Sequence, residues 1–326
     1  MAGRPTKHLR FGDLLHSMQS SFLKITDLRD PDKTVHYLSD IFTSAFALFF
    51  LQDPSLLAFQ RRIESEKSQN NMRGVFGVEN IPSDTQLRDV IDTHENTEVS
   101  SIFKDFLTRL QRAGQLEKYK FLNKFHLVAL DGSDYFSSDK VHCDKCLTKK
   151  TSDGLHYHHQ ILQSTIIHPD MKRVIPLAPE FISNKDGMSK QDCEHNAGKR
   201  LIDRVKKGSS PITFSLGLRW IVRGGRSRWK IENESFNTLK NQGYHLEHNF
   251  GHGKHNLSET FFMLNLLAFF FHQIFELTSV EYKQAREAFS SKKEYWNCIR
   301  SMFRLFIISD WQHLLLRINS PPQEFV

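Results

Sequence analysis

Apolar residues recur at helical spacing through most of the first 120 positions. The pattern predicts helices near 11–24, 39–51, 54–66 and 97–113, because residues three and four apart line one helical face. Ser39 and Asp40 are capping residue types at the start of the second, and Ser83-Asp84 after Pro82 marks a further helix start. From 121 the period changes. Leu127 to Leu130 form a continuous apolar run ending on Asp131 and Gly132, as a buried strand ends at a loop. Residues 159–168 and 172–182 read as two further strands joined by a turn at Pro169-Asp170, and 189–207 as a helix capped by Ser189, with lysines near its end where its dipole favours them. Ile231, Phe236 and Leu239 then give an apolar stripe at roughly helical spacing, with Gly243 as its stop. Beyond His255 the chain is helical again: Ser258 opens the run FFMLNLLAFFFHQIFEL at 261–277, and segments near 281–289 and 293–317 follow. That run approaches the about 20 residues a membrane span needs. Asn265, His272, Gln273 and Glu276 interrupt it, so a buried core helix is expected and no membrane partner. The fold class is α/β in the α+β sense, with a helical region over 1–120, a mixed centre over 121–255 and a helical region over 256–326.

Composition narrows the function classes. With 326 residues the chain is long enough for two or three domains and a substantial core. Lysine plus arginine exceeds aspartate plus glutamate by 44 minus 37, giving +7, a basicity that fits phosphate binding without requiring it. Four cysteines argue against a disulfide framework, and no apolar segment with a cleavage site follows Met1, so a reducing cytoplasmic compartment is expected. The basic amino terminus, MAGRPTKHLR, reads either as a solvated tail or as a DNA-backbone contact.

Three groups of residues carry candidate chemistry. Asp131 stands at the end of the expected buried strand, where a sheet fixes a carboxylate for metal binding; the plain alternative is a turn cap ahead of Gly132, and Asp134 is the next candidate. Cys143-Asp-Lys-Cys146, followed by His156, His158 and His159, approximates a tetrahedral zinc site, with Cys143, Cys146, His156 and His159 as the candidate ligands. The alternative is two reduced, unligated thiols. Arg228 and Glu232 sit four residues apart on one helical face, either as a surface ion pair or as a metal-binding carboxylate steadied by a cation that also faces phosphate. Arg226 and Lys230 flank them, and His245, His248, His252, Lys254 and His255 form a basic patch just beyond, with phosphate contact and simple solvation both open.

Arg228, Glu232 and Lys240, with the strings RWKIEN and GYHLEHNFGHG, resemble the glutamate-bearing signature of bacterial insertion-sequence DDE transposases: tyrosine, two residues, arginine, three residues, glutamate, six residues, lysine. LDGSDYFSS resembles the family's first catalytic aspartate motif, and DPSLLAFQ and PSDTQLRDVID its amino-terminal region. The resemblance implies an RNase H-like core in which Asp131 and Glu232 hold Mg2+ (or Mn2+), Arg228 and Lys240 steady phosphate and the glutamate, and residues 1–120 take part in binding DNA ends. Its partners would be the element's terminal inverted repeats and target DNA, bound by a homo-oligomer at the nucleoid. Two departures stand out. Gly225 occupies the tyrosine position, and Lys240 falls one residue late, which at about 100° per helical residue leaves it some 80° round the helix from its expected place beside Glu232. The middle is also short. GSSPITFSLGLRWIVRGGRSRW contains no acidic residue, and only 232 minus 131, or 101, positions separate the two carboxylates, so the segment with the family's second aspartate is missing. A truncated, catalytically defective core is expected; the alternative is a non-enzymatic DNA-binding remnant that regulates a full-length transposase.

Overall fold

The computed structural model describes residues 6–152, 154–183, 191–207 and 229–320. Six helices occupy the amino-terminal region: α1 (Phe11–Phe22), α2 (Leu38–Phe50), α3 (Leu56–Ile63), α4 (Glu66–Phe76), α5 (Asp84–Asp92) and α6 (Thr97–Arg112). Ser83 opens α5 through a full capping box with Gln86, satisfying two otherwise unpaired amides. Ser39 and Asp40, by contrast, lie inside α2, whose N-cap is Tyr37; Asp40 instead accepts the amide of Asn80. The sequence pattern does not predict α4. It is mostly polar, but Ser65 caps its start and Gly77, at φ 65°, ends it in the left-handed region that glycine tolerates.

The centre of the molecule is an antiparallel sheet of six strands among the described residues. β2 (Phe125–Ser138) and β4 (Gly154–Ile167) pair antiparallel from Leu127 opposite Ile167 to Ser138 opposite Tyr157, with a register shift between Asp134 and Phe136. β1 (Lys120–Phe121) edges β2, while β3 (Leu147–Thr151), β5 (Ile175–Pro176) and β6 (Glu180–Ile182) pair with β4; every pairing among the described residues is antiparallel. The expected strand over 172–182 is thus two short pieces, since Pro176 and Pro179 lack the amide that a continuous ladder needs.

β2 does not stop at Asp131-Gly132. It runs on for seven residues, 132 to 138, with Asp131 opposite Gln163 and Gly132 opposite Leu162. The glycine serves packing rather than a turn: a Cβ there would lie 2.1 Å from the Glu194 carboxylate, at the start of α7 (Glu194–Lys207). One sheet face is covered by α7 through Leu147, Leu162, Ile182, Ala197 and Leu201. The other, with Ala129, Tyr135 and Ile161, joins the large helical core.

Beyond the sheet the chain forms a π-helical turn (Ile231–Phe236), α8 (Asn237–Asn241), α9 (Leu257–Thr278), α10 (Val280–Glu287), α11 (Lys292–Leu305) and α12 (Trp311–Asn319). α9 is long and apolar enough to cross a membrane, but the whole of that apolar window is buried inside the protein. It is the core helix that the interrupting polar residues predict. Phe271 meets Phe46 at 4.9 Å and Phe106 at 5.0 Å, so amino- and carboxy-terminal helices share one core. His272 accepts a place there because its Nδ1 pairs with Tyr244 Oη at 2.5 Å, while burial holds the ring neutral.

The segment expected as one helix over 293–317 is two. Asn71 of α4 holds the bend, donating to the carbonyls of Phe303 and Phe306 and accepting the amide of Ile308, each at 2.7 Å. Asp310 then caps α12, its Oδ1 accepting the His313 amide at 2.8 Å, and that amide holds its carboxyl below the ordinary value. A group with a depressed folded value stabilises fully above the unfolded carboxylate range and loses that contribution as pH falls through the folded value. Asp310→Ala is therefore expected to cost about 1 kcal/mol at neutral pH, with the difference from wild type closing in urea titrations run progressively further into acid.

Candidate metal centre

The Cys-x-x-Cys segment lies between β2 and β3 as a tight turn, with the Cys146 amide donating to the Cys143 carbonyl at 3.3 Å. Ser138 starts the loop by accepting the amides of Lys140 and Val141. The two sulfurs are 3.8 Å apart. His159 Nε2 is 3.4 Å from each, and His252 Nε2 is 3.5 Å from the Cys146 sulfur. All four ligand atoms lie within 4.8 Å of one another. Tetrahedral zinc, with Zn–S of about 2.3 Å and Zn–N of about 2.0 Å, sets its sulfurs about 3.8 Å apart and sulfur about 3.5 Å from nitrogen. The four sulfur–sulfur and sulfur–nitrogen separations above match that frame. Two thiols and two imidazoles are also the soft, borderline donor set that suits Zn2+ rather than Mg2+.

Strand geometry decides which histidine of β4 takes part. Side chains alternate between faces, so His159 shares the core-facing side with Ile161, while His156 and His158 point the other way. His156, expected as a ligand, lies outside the cluster: its Nδ1 is 2.7 Å from Asp139 Oδ1. The fourth candidate ligand is His252, which the sequence pattern places in the basic patch where phosphate contact and solvation are both open. It is turned inward, 6% exposed, with its ring stacked on Phe136 at 4.1 Å. His248 and Lys254, on either side, remain exposed.

The thiols form a coupled pair. The hydrogen bond from Cys143 pulls Cys146 down to about 7, and the same bond, with burial, pushes Cys143 up. A cation bound between the sulfurs would favour the deprotonated form of both. Four protein donors with no open position are the set that structural, rather than catalytic, zinc sites use, and the cluster is compatible with such a site.

The loop that delivers His252 is fixed from outside. Asp92, at the end of α5, accepts the amides of Lys254, His255, Asn256 and Leu257 at 2.8–3.0 Å. Burial alone would raise the Asp92 carboxyl, but these four amides together outweigh it and hold it below the ordinary value. Gly253 has φ 68°, and a Cβ there would lie 2.4 Å from Asp92 Oδ1, so conformation and space both call for glycine. Lys145, between the two cysteines, reaches the same loop: its Nζ donates to Asn256 Oδ1 at 2.6 Å and lies 3.3 Å from Glu259 Oε2.

The candidate divalent-ion residues are placed as follows. Arg226 and Arg228 lie outside the described residues. Asp131 is partly exposed in the middle of β2, and the π-helical turn that carries the exposed Glu232 packs against that strand. Lys230 is 6% exposed, with its Nζ donating to the Met171 carbonyl at 2.6 Å. A π turn takes in one more residue than an α turn, so the eight-residue step from Glu232 to Lys240 covers the rotation of seven residues of regular helix, about two turns. The late lysine is thereby brought back to the glutamate's face, where it pairs with Glu247 at 3.0 Å. Of the acidic residues near the start of α7, Asp192 is engaged by Arg200 at 2.7 Å. Glu194 sits over Gly132, across the sheet from the Asp131 side chain.

Comparison of the chain with known protein families, with curated proteins and with solved structures finds no match.

Proposed function

We propose that this chain is a DNA-binding protein of the insertion-sequence DDE transposase class, built on a truncated RNase H-like core, with its strand-cleaving chemistry impaired and its fold stitched by one structural Zn2+. The observation that carries the DNA reading is the packing of the Glu232 turn on the Asp131 strand, since the resemblance assigns those two carboxylates to one site. The π turn supports it by returning Lys240 to the Glu232 face. Antiparallel β2 and β4 followed by α7 are compatible with the opening of an RNase H-like fold.

In such a site Asp131 and Glu232 would hold Mg2+, which when bound would activate water and stabilise charge on the phosphoryl oxygens. Two carboxylates are a weak set for a pair of ions. The third is not supplied by Asp192, which Arg200 engages, or by Glu194, which faces away. These two placements favour the non-enzymatic version, a nucleoid-associated binder of element ends that assembles with copies of itself or with a full-length transposase.

The test pairs a binding and a cleavage measurement. Fluorescence anisotropy on duplexes carrying the flanking inverted repeats is expected to show binding that weakens at least about tenfold between roughly 50 and 200 mM salt, as counterion release requires. Asp131→Ala and Glu232→Ala are expected to leave that binding within about twofold and to abolish any residual nicking in Mg2+ or Mn2+. A chain that neither binds nor nicks such duplexes does not have this function.

A further inference from the structure

The four-fold grip of Asp92 on the 254–257 amides lies far from the cysteine turn in sequence and serves no evident purpose in α5 itself. Its effect falls on the loop. Between Gly243 and Gly253 the backbone bonds are mostly local, such as His248 to His245 and Phe250 to His248; Leu246 also returns to Leu239. Fixed anchors occur at each end: Phe250 packs on Phe49 at 5.0 Å, and Asp92 gathers the amides immediately after Gly253. His252 is the residue in between that meets the two sulfurs and His159. Its ring Nδ1 is buried without a hydrogen-bond partner, so apart from the sulfur that Nε2 meets no polar contact orients the imidazole. Orientation must come from the stack on Phe136 and from the backbone that carries it.

We propose that Asp92 is the positioning residue of the metal centre, fixing from the amino-terminal helices the loop that presents His252, so that these helices set the affinity of the site for Zn2+. The inference rests on the zinc reading of the Cys143, Cys146, His159 and His252 cluster. Lys145 reinforces the same device from the opposite side, joining the cysteine turn to Asn256 and Glu259. Metal, turn, strand and helix start are thereby drawn into one unit, and a ligand that chain connectivity leaves loose is held ready before the ion arrives.

The experiment measures Zn2+ affinity by competition with a chromogenic chelator and reads the ligand set from the absorption bands of the Co2+-substituted full chain. Asp92→Ala is expected to lower affinity about 10- to 100-fold, the usual effect of losing a partner that orients a ligand, and to shift the Co2+ bands toward those of His252→Ala. Asp92→Asn keeps one oxygen for three of the four amides and is expected to fall between; it carries the test if the alanine variant does not fold. The deciding comparison is the double variant. If Asp92 acts through His252, adding Asp92→Ala to His252→Ala weakens Zn2+ no further. An equal further loss in that background, or wild-type affinity in Asp92→Ala, overturns the proposal while leaving the zinc site standing. A wild-type chain with no stoichiometric Zn2+ overturns both.

Discussion

His252→Ala is expected to lose most of its bound zinc while His156→Ala keeps a full equivalent. Structural zinc sites of four protein ligands bind with about 10–16 kcal/mol, or about 3 kcal/mol for each ligand, so deletion of one weakens affinity by about two orders of magnitude. His156 holds Asp139 on the solvent side of β4 and contributes nothing to that sum. Metal analysis after dialysis against a weak chelator separates the two variants. Because an ion held by this cluster would bridge the cysteine turn, β4 and the loop before α9, its loss is also expected to lower the melting temperature of the wild type, and to do so less in His252→Ala, which has less bound zinc to lose. Zinc retained by His252→Ala and lost from His156→Ala would reverse the ligand assignment.

The second large effect lies in the helical core. Asp53, just beyond α2, and Arg62 of α3 form a bidentate pair, with Nε to Oδ1 at 2.9 Å and Nη2 to Oδ2 at 2.6 Å, and the two side chains are 2% and 8% exposed. The guanidinium also lies over the rings of Phe59 and Phe303 at 5.3 and 5.8 Å. Asp53→Ala leaves that cation among aromatic rings without its counter-charge, a change that costs about 3–5 kcal/mol when a buried pair loses one member. Equilibrium urea denaturation is the measurement. The double variant Asp53→Ala with Arg62→Met is expected to recover much of the loss, since an apolar side chain of similar length fills the site with no charge to desolvate. A single-variant loss below about 1 kcal/mol, the range of exposed pairs, would mean that water reaches the guanidinium.

Much of the helical framework is legible from periodicity. α2 and α6 fall within a residue of the expected spans, and α1 and α9 within a few, because an apolar stripe at helical spacing has to be buried whatever lies opposite it. α4 escapes that reading because much of its inward face is polar, with Ser68 and Asn71 buried against carbonyls of the carboxy-terminal helices. The bend between α11 and α12 escapes it too, since it is imposed by Asn71 from more than 230 residues away. Asp131-Gly132 reads as a strand end from its local turn propensity, but the glycine is there to admit Glu194. The late Lys240 reads as a mismatch on a regular helix; the π turn changes the rotation between it and Glu232, and the lysine pairs with Glu247.

The sequence by itself determined what adjacent residues decide: the helical stripes, the Ser83 cap, the basic balance, and the two sulfurs that a three-residue step brings to one point. It also supplied the histidines. Which of them meet the sulfurs was decided by tertiary structure alone. His159 is chosen over His156 by the alternation of a strand whose register depends on β2, and His252 is brought across 106 residues by a loop that Asp92 holds. A tetrahedron needs four donors within a few ångströms, and chain proximity can specify the distance between two of them; the other two depend on which surfaces the whole core presses together.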